Sequence, residues 1–177
     1  MLIRGKLPTG AYERPLEPKA DDRGSLTEIY RKDWSGSPAV VQWNFIRTEA
    51  GVMRGVRCHL RHDDHLIVLQ GTMVVGLRDL RPGSPSEGQT ALVELSGDRL
   101  SLLMTPAGVA HGLYSATPAL FCVGVTSIFD GADDNGCFWG DKDLEIDWPF
   151  QQARVCAADG PHRRLADLLR LIPAFRP

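Results

Sequence analysis

Short apolar segments separated by turn residues dominate this sequence and constrain its fold more than any other feature. They are rich in Val, Ile, Leu and Phe, and Gly, Pro, Asp or Ser usually bounds them, which is typical of β-strands. The segments are AVVQWNFI (39–46), HLIVLQGTMVVGLRDL (65–80), TALVELS (90–96), SLLMTP (101–106) and ALFCVGVTSIF (119–129). Gln70 and Gly71 predict a turn that divides the second segment into two paired strands. Many short strands at roughly even spacing predict a sandwich or a barrel.

The end of the chain follows a different pattern. Four apolar residues at positions i, i+3, i+4 and i+7 predict one face of a helix: Leu165, Leu168, Leu169 and Ile172. Asp159 or a nearby polar residue is a candidate cap for this helix. Between two of the strands, RPGSPSEG (81–88) has the composition of a surface loop. We therefore expect one all-β domain that spans residues 1–177 and carries a short C-terminal helix.

Composition narrows the class of protein. The 177 residues are 43% hydrophobic and 24% charged, with a net charge of −2 and no block of like charge, which argues against nucleic-acid or membrane-surface binding. No segment approaches the roughly 18 apolar residues of a spanning helix, and the first residues lack the apolar run of a signal peptide. The four cysteines form no CxxC pair, so we expect neither a zinc knuckle nor a disulfide framework. A cytoplasmic location is the resulting expectation.

The segment RGVRCHLRHDDH (54–65) packs three arginines, three histidines and two aspartates into twelve residues. Together with PAGVAH (106–111), it fits the two-motif frame of cupin jelly rolls. In that frame His59, Asp64 and His111 could form a 2-His-1-carboxylate metal site, because residues i and i+2 of a strand share a face. The first ligand position, however, is Arg57, which has no lone pair to donate and stays protonated. We therefore expect no bound metal and keep the metal-dependent cupin as an alternative.

Six motifs occur in a fixed order along the chain. They are DDRG followed by Glu28 (21–28), VVQWN (40–44), VMRG (52–55), DLRPGSPSEGQ (79–89), TPAGVAHG (105–112) and DLEIDWP (143–149). Each is weak alone, but together they make the chain resemble the dTDP-4-dehydrorhamnose 3,5-epimerase family from about residue 20 to 165. The resemblance implies an all-β cupin-type jelly roll, a homodimer, no cofactor, and a dTDP-4-keto-6-deoxyhexose as the bound sugar nucleotide.

The resemblance also implies a set of substrate-binding residues. The family's substrate-binding arginines match Arg23 and Arg54, whose planar forks suit the oxyanions of a diphosphate. Its polar and histidine contacts match Glu28, Gln42, Asn44 and His111. Alternatives that need no substrate remain open: a surface turn for Arg23, a buried salt bridge for Arg54 and a satisfied core histidine for His111.

The catalytic positions depart from the family pattern. Epimerisation beside a ketone needs a base to remove the α-proton and an acid to return one. Arg57 stands at the position of the family's basic histidine, and arginine cannot act as a base near neutral pH. Val123 stands at the position of the acidic tyrosine, and Phe129 at that of a second tyrosine. Asp159 matches the aspartate that orients the base, so here we expect it to form a salt bridge with Arg57.

Three functional hypotheses follow. The first is an epimerase or ketoisomerase with rearranged catalysis, in which His59 is a relocated base, Tyr114 a relocated acid and Arg57 stabilises an enolate. The second is a non-catalytic binding or regulatory protein that kept the pocket. The third is the metal-dependent cupin. We expect His62 and His65 to lie on a solvated polar turn.

Overall fold

The computed structural model describes residues 3–34 and 38–176, and strands account for most of its regular structure. The strands are β1 (Ile3–Arg4), β2 (Tyr12–Pro15), β3 (Pro18–Asp21), β4 (Gly24–Thr27), β5 (Gln42–Thr48), β6 (Val52–Cys58), β7 (Asp64–Gln70), β8 (Thr72–Asp79), β9 (Thr90–Ser96), β10 (Ser101–Thr105), β11 (Val109–Ser115), β12 (Ala119–Val125) and β13 (Asn135–Gly136). Two 3₁₀ turns (Lys142–Leu144 and Ala157–Asp159) and helix α1 (Leu165–Leu169) follow.

These strands form two antiparallel sheets and a separate hairpin. One sheet has the order β1-β9-β8-β11-β6-β13 and the other has the order β2-β10-β7-β12-β5. Among the described residues, β3 pairs only with β4. Buried residues of both large sheets meet in one cluster, which includes Leu66 and Phe121 from the second sheet and Val75 and Leu77 from the first. This arrangement confirms the predicted all-β jelly roll.

The C-terminal segment covers the outer face of the six-stranded sheet. Trp148 packs there with Leu165 and Leu168 of α1. A Cβ atom on Gly76 would overlap the Trp148 ring, so the strand beneath the ring needs a residue without a side chain. The segment therefore forms a second apolar layer on the far side of the sheet from the main core. No helix among residues 3–34 and 38–176 is long and apolar enough to cross a bilayer.

Several sequence expectations hold and others need correction. The five apolar segments all contain strands, with a turn at Gln70–Gly71. Helix α1 ends at Leu169, earlier than the apolar spacing predicts, and Ile172 is buried just beyond it. The cap expected from Asp159 is wrong, because the backbone N–H of Leu165 donates to Asp141 Oδ2 at 2.8 Å.

The predicted surface loop at 81–88 also differs from expectation, because it folds around a buried carboxylate. Asp79 is fully buried and accepts hydrogen bonds from the Arg81 side chain and from the hydroxyls of Ser84 and Ser86. Arg81 also donates to the Thr9 carbonyl at 2.6 Å. The polar residues of this loop are therefore a buried network that ties it to the end of β8 and to the N-terminal segment.

Candidate active site

One cavity of about 440 Å³ opens between the two sheets, where β6 and β11 face β5, β7 and β12. It collects most of the residues that the sequence singles out: Asn44, Arg54, Arg57, His59, His111 and Val123. Asp64, Asp134 and Asp159 also line it. Because side chains alternate along a strand, Arg57 and His59 of the RGVRCH segment face the same cavity, while Val56 and Cys58 face the apolar layer around Trp148 on the other side of the sheet.

Arg57 is fixed on the cavity floor by two carboxylates. Its Nη1 lies 2.5 Å from Asp159 Oδ1, and its Nε lies 2.8 Å from Asp134 Oδ1. The second oxygen of Asp159 accepts the backbone N–H of Gly55 at 3.1 Å. Gly55 has a φ of 90°, and a Cβ there would lie 2.8 Å from the Arg57 nitrogen, so this corner requires glycine. The predicted salt bridge between Arg57 and Asp159 is confirmed.

Three imidazoles surround one carboxylate beside this ion pair. Asp64 Oδ2 lies 3.0 Å from His111 Nε2 and 3.5 Å from His59 Nε2, and Asp64 Oδ1 lies 3.5 Å from His62 Nε2. All four residues are buried, and the His59 and His62 rings stack with centroids 4.1 Å apart. Imidazole nitrogens and a carboxylate at these distances form either a proton-sharing cluster or a set of metal ligands.

The charges within this cluster are interdependent. Burial alone would raise the pKa of Asp64, but the hydrogen bond from His111 and the nearby imidazoles lower it below its usual value. Burial alone would lower the pKa of His111, yet its contact with Asp64 raises that pKa instead. For His59, burial dominates and lowers the pKa despite the attraction of Asp64. The contact with Asp64 thus dominates for His111, whereas burial dominates for His59.

The expectation of a solvated polar turn at His62 and His65 is wrong. His62 is buried in the cluster, where Nδ1 lies 3.1 Å from Asp133 Oδ2. His65 is also buried, but it points to the opposite face of β7 and packs edge-on against Tyr30 at 5.9 Å. The alternation of β7 explains this separation, because Asp64 faces the cavity and the next residue cannot.

The wall opposite Arg57 is apolar at the position expected for the acid. Val123 lines the cavity and is paired in the sheet with Asn44 and Leu66. Phe129 stands at the rim with 49% of its surface exposed. Neither side chain carries a proton that can be transferred, so the two tyrosine positions of the family pattern contribute shape and apolar surface here.

Polar residues occupy the β5 side of the cavity and its mouth. Gln42 donates from Nε2 to Asn44 Oδ1 at 2.9 Å and accepts the backbone N–H of Phe129 at 3.0 Å. Gln42 thereby fixes the Asn44 amide at the cavity wall.

Arg54 is exposed, lines the cavity and donates to the backbone carbonyl of Arg47 at 3.3 Å. The buried salt bridge considered for Arg54 is therefore ruled out, and its guanidinium can reach a ligand.

Arg23 and Glu28 do not join this cavity within one protomer. Arg23 lies at the tip of the β3–β4 hairpin, where 85% of its side chain is exposed and it pairs with Asp21 at 2.6 Å. Glu28 follows the hairpin and pairs with Lys19 and Arg31 at 3.6 and 3.5 Å. These contacts match the surface-turn alternative for Arg23 as long as a single protomer is considered.

Tyr114 is a further predicted site residue that lies outside the cavity. His111 and Leu113 of β11 face the cavity, so Tyr114 faces the opposite side of the sheet. There its ring stacks on Phe150 with centroids 3.8 Å apart, in the apolar layer around Trp148. The prediction of Tyr114 as a relocated acid or substrate contact is therefore corrected.

Two site residues, Asp133 and Asp134, were not predicted from the sequence. They lie on the loop after β12 and contact His62 and Arg57, respectively. Asp133 is buried and accepts the backbone N–H groups of Leu60 and Arg61, while its neighbour holds Arg57. The sequence GADDNG around them has the composition of a solvated turn. The only available signal was two adjacent acids placed after a strand that already carried a site residue.

Comparisons with known proteins agree with this geometry. The dTDP-4-dehydrorhamnose 3,5-epimerase family model matches residues 9–167. The chain is 33% identical over 148 residues to dTDP-4-dehydrorhamnose 3,5-epimerase of Pseudomonas aeruginosa, covering 78% of this chain and 82% of that one. It is 30% identical over 168 residues to the Salmonella typhimurium enzyme of the same name, covering 86% and 89%.

Solved structures give the same result. The chain superimposes with a TM-score of 0.87 and 27% identity on dTDP-6-deoxy-D-glucose-3,5-epimerase RmlC from Legionella pneumophila, covering 99% of both chains. That crystal structure contains dTDP-4-keto-L-rhamnose. The likeness extends to a 3'-monoepimerase, ChmJ of Streptomyces bikiniensis, at a TM-score of 0.83 and 24% identity over 96% of this chain and 92% of that one, which supports the fold alone.

Proposed function

The chain belongs to the dTDP-4-dehydrorhamnose 3,5-epimerase family, and we propose that its cavity binds a dTDP-4-keto-6-deoxyhexose with acid–base chemistry that is impaired or rearranged. One observation carries this proposal: Arg57, at the position of the base, is held by Asp159 and Asp134 at 2.5 and 2.8 Å. A guanidinium between two carboxylates cannot accept an α-proton near neutral pH.

The binding half of the proposal rests on the mouth of the cavity. Arg54 is the exposed guanidinium there, and a guanidinium binds phosphate oxygens in a bidentate manner. Asn44, fixed by Gln42, offers an amide to the nucleoside or the sugar. His111 lies deeper, on the same strand face as Leu113. We therefore propose that the sugar lies between Arg57 and Val123, with the diphosphate toward Arg54.

The family resemblance further leads us to propose a homodimer. Arg23 and Glu28 lie outside the cavity of their own protomer, so they can contact a bound nucleotide only if the hairpin reaches the cavity of a second copy. The free hairpin β3–β4 pairs with neither large sheet, and Leu26 on it is 61% exposed. An exposed leucine on an otherwise polar hairpin fits burial against a second copy.

The proposed role of the remaining groups is limited by their contacts. Arg57, held by Asp159, supplies a fixed positive charge that can stabilise an enolate oxygen. His59 is the cavity imidazole that shares the Arg57 strand face, so we propose it as the base for any residual exchange. We further propose one domain over residues 1–177, no resident organic cofactor, and a reducing cytoplasmic location, which the four free cysteines fit.

A non-catalytic binding protein is the second candidate, and the Arg57 ion pairs favour it. Two measurements separate the candidates. Calorimetric titration with dTDP tests the cavity, and no heat of binding would reject both. Incubation with dTDP-4-keto-6-deoxyglucose in heavy water then tests turnover: slow deuterium incorporation at C3 or C5 supports the impaired enzyme, and binding without incorporation supports the binding protein.

A further inference from the structure

The three histidines around Asp64 share an orientation that the proposed sugar chemistry does not explain. Each turns its Nε2 toward the Asp64 carboxylate, at 3.0 Å for His111 and 3.5 Å for both His59 and His62. The ligand atoms of His59, His62 and Asp64 all lie within 4.8 Å of one another. These three donors, two from the β6–β7 connection and one from β7, lie close enough together to share one ion at the cavity wall. His111 of β11 contacts the same carboxylate.

The other ring nitrogen of each histidine is anchored. His59 Nδ1 lies 2.8 Å from the Asp133 carbonyl, His62 Nδ1 lies 3.1 Å from the Asp133 carboxylate, and His111 Nδ1 lies 3.2 Å from the Val109 carbonyl. Since these partners are acceptors, each Nδ1 carries the proton and, in the neutral ring, Nε2 keeps its lone pair. Such anchoring of the outer nitrogen is the usual arrangement for histidines that bind a metal.

Two buried atoms at the same point lack a hydrogen-bond partner. They are His62 Nε2 and Asp64 Oδ1, which face each other at 3.5 Å, and only 2% of the His62 side chain is exposed. A buried polar atom without a partner is unfavourable and calls for a ligand. Donors bound tetrahedrally at about 2.1 Å stand roughly 3.4 Å apart. This spacing is close to the 3.5 Å that separates the Asp64 carboxylate from both His59 Nε2 and His62 Nε2.

The expectation of no bound metal rested on Arg57, which has no lone pair to donate and stays charged. The structure changes both premises. Both ends of that guanidinium are engaged by carboxylates, Nη1 by Asp159 and Nε by Asp134. The adjacent charge is therefore compensated locally. Arg57 is not one of the three close donors. His62, which lies outside the cupin motif frame, supplies the ligand that Arg57 cannot.

We propose that His59 and His62, through Nε2, and Asp64, through its carboxylate, bind one divalent first-row transition metal of the Zn²⁺ type and leave a fourth position open. Imidazole-rich sites of this kind select Zn²⁺, Fe²⁺, Co²⁺ or Ni²⁺ over Mg²⁺ and Ca²⁺, which prefer oxygen ligands. The site lies in the wall of the sugar cavity, so the open side of the ion faces whatever that cavity holds. The proposal does not depend on the identity of the sugar.

Metal uptake by the full-length protein tests the site directly. The protein is stripped with a chelator, dialysed, and titrated with Zn²⁺, Co²⁺ and Mg²⁺ by calorimetry, with elemental analysis of the dialysed complex. The expected result is about one equivalent of Zn²⁺ or Co²⁺, visible d–d absorption of the Co²⁺ form, and no uptake of Mg²⁺ at the same concentration. Absence of Zn²⁺ and Co²⁺ binding by the folded wild type overturns the proposal.

A matched pair of variants then locates the ion. His62→Asn keeps a side-chain donor for Asp133 but removes Nε2, and it should weaken Zn²⁺ binding at least tenfold, the lower end of what loss of a supporting group alone costs. His162→Asn changes an exposed histidine outside the cluster and should bind Zn²⁺ like the wild type. Equal affinity in His62→Asn and the wild type contradicts the assignment. Circular dichroism of both stripped variants verifies the fold.

The result is separable from the proposed sugar-nucleotide function. Titration of the stripped protein with dTDP in the presence of chelator measures the nucleotide site alone, so either site can fail without the other. Metal binding also occupies Nε2 of His59, the ring nitrogen left for proton transfer because Nδ1 contacts the Asp133 carbonyl. Deuterium exchange through His59 should therefore stop when Zn²⁺ is added to the stripped protein, and exchange that continues unchanged while one equivalent is bound assigns the base to another residue.

Discussion

Arg57 and Asp159 meet on the floor of the cavity with Nη1 and Oδ1 2.5 Å apart, although they are 102 positions apart in the sequence. Only 5% of the Asp159 side chain is exposed, and its two oxygens contact Arg57 and the Gly55 N–H. In the family pattern, the aspartate at this position orients the base. Here Asp159 instead forms an ion pair with the permanently charged Arg57.

Removing that carboxylate should destabilise the fold. In Asp159→Asn, Arg57 keeps only Asp134, and the free energy of unfolding should fall by about 1–3 kcal/mol, the scale of a charged hydrogen bond. Urea unfolding measures the change. Asp147→Asn, at an exposed position, serves as the control and should unfold like the wild type. Equal stability of both variants would show that Asp134 alone suffices.

Arg54→Ala should weaken dTDP binding by about 1.5–3 kcal/mol, since it removes a charged donor from the diphosphate. Calorimetric titration gives the affinity. Arg47→Ala is a suitable control because Arg47 lies on β5, outside the cavity lining, with its guanidinium over the Phe45 ring. An unchanged affinity in Arg54→Ala places the diphosphate elsewhere.

Deuterium incorporation at C3 and C5 of a dTDP-4-keto-6-deoxy sugar should be far slower than in a standard epimerase. Loss of a general base and a general acid costs about 10²–10⁴-fold each, and Arg57 and Val123 stand at both positions. The double change Arg57→His with Val123→Tyr should raise the rate, while His59→Ala should abolish what remains in the metal-free wild type. Mass spectrometry or NMR follows the label, and rapid incorporation by the wild type would contradict the assignment of these positions.

Arg23→Ala tests the hairpin as a contributor to a second copy. If Arg23 contacts a diphosphate in the partner cavity, dTDP affinity should fall roughly tenfold, as for loss of a charged contact, without any change in protomer stability. Sedimentation equilibrium establishes the oligomeric state in parallel. Arg99→Ala, at another exposed turn, is the control. A monomer, or a dimer with unchanged affinity in Arg23→Ala, would leave Arg23 as a surface residue.

Acid stability should depend on Asp79. Burial alone would raise its pKa, but hydrogen bonds from Arg81, Ser84 and Ser86 lower it to about 2. Because the folded-state pKa lies below the unfolded value of 3.8, the network contributes about 2 kcal/mol above pH 4, and this is lost as the pH falls toward 2. Asp79→Asn should be less stable at pH 7 and lose part of the difference from the wild type by pH 2.5. Thermal unfolding at both pH values, with Asp98→Asn as control, measures this.

Features of the fold that depend on a short stretch of sequence could be predicted. Apolar segments predicted strands, and the departures at Arg57 and Val123 could be read from motif order because both lie in regular strands of the fold. Strand β11 was missed because VAHGLYS combines glycine and polar residues, and its strand state depends on pairing with β6 and β8. Tyr114 was misplaced because nearness in sequence to His111 says nothing about which face of the strand it occupies.

The inward position of His62 could not be predicted for a different reason. Its burial depends on Asp133, 71 positions away in the sequence, which accepts from its Nδ1. In isolation, the segment HLRHDDH (59–65), with three histidines, two aspartates and one arginine, has the composition of a solvated turn. Long-range polar pairing of this kind leaves no periodic trace, since any acidic loop in the chain could have supplied the partner.

Asp133 and Asp134, adjacent on one loop, have a thermodynamic consequence. The first holds His59 and His62 by their outer nitrogens, and the second holds Arg57. A shift of the loop therefore alters both the imidazole cluster and the cationic floor of the cavity. Binding of a metal ion and binding of the nucleotide are then linked, and linkage is reciprocal. If a bound ion changes the nucleotide affinity by some factor, the bound nucleotide changes the affinity for the ion by the same factor.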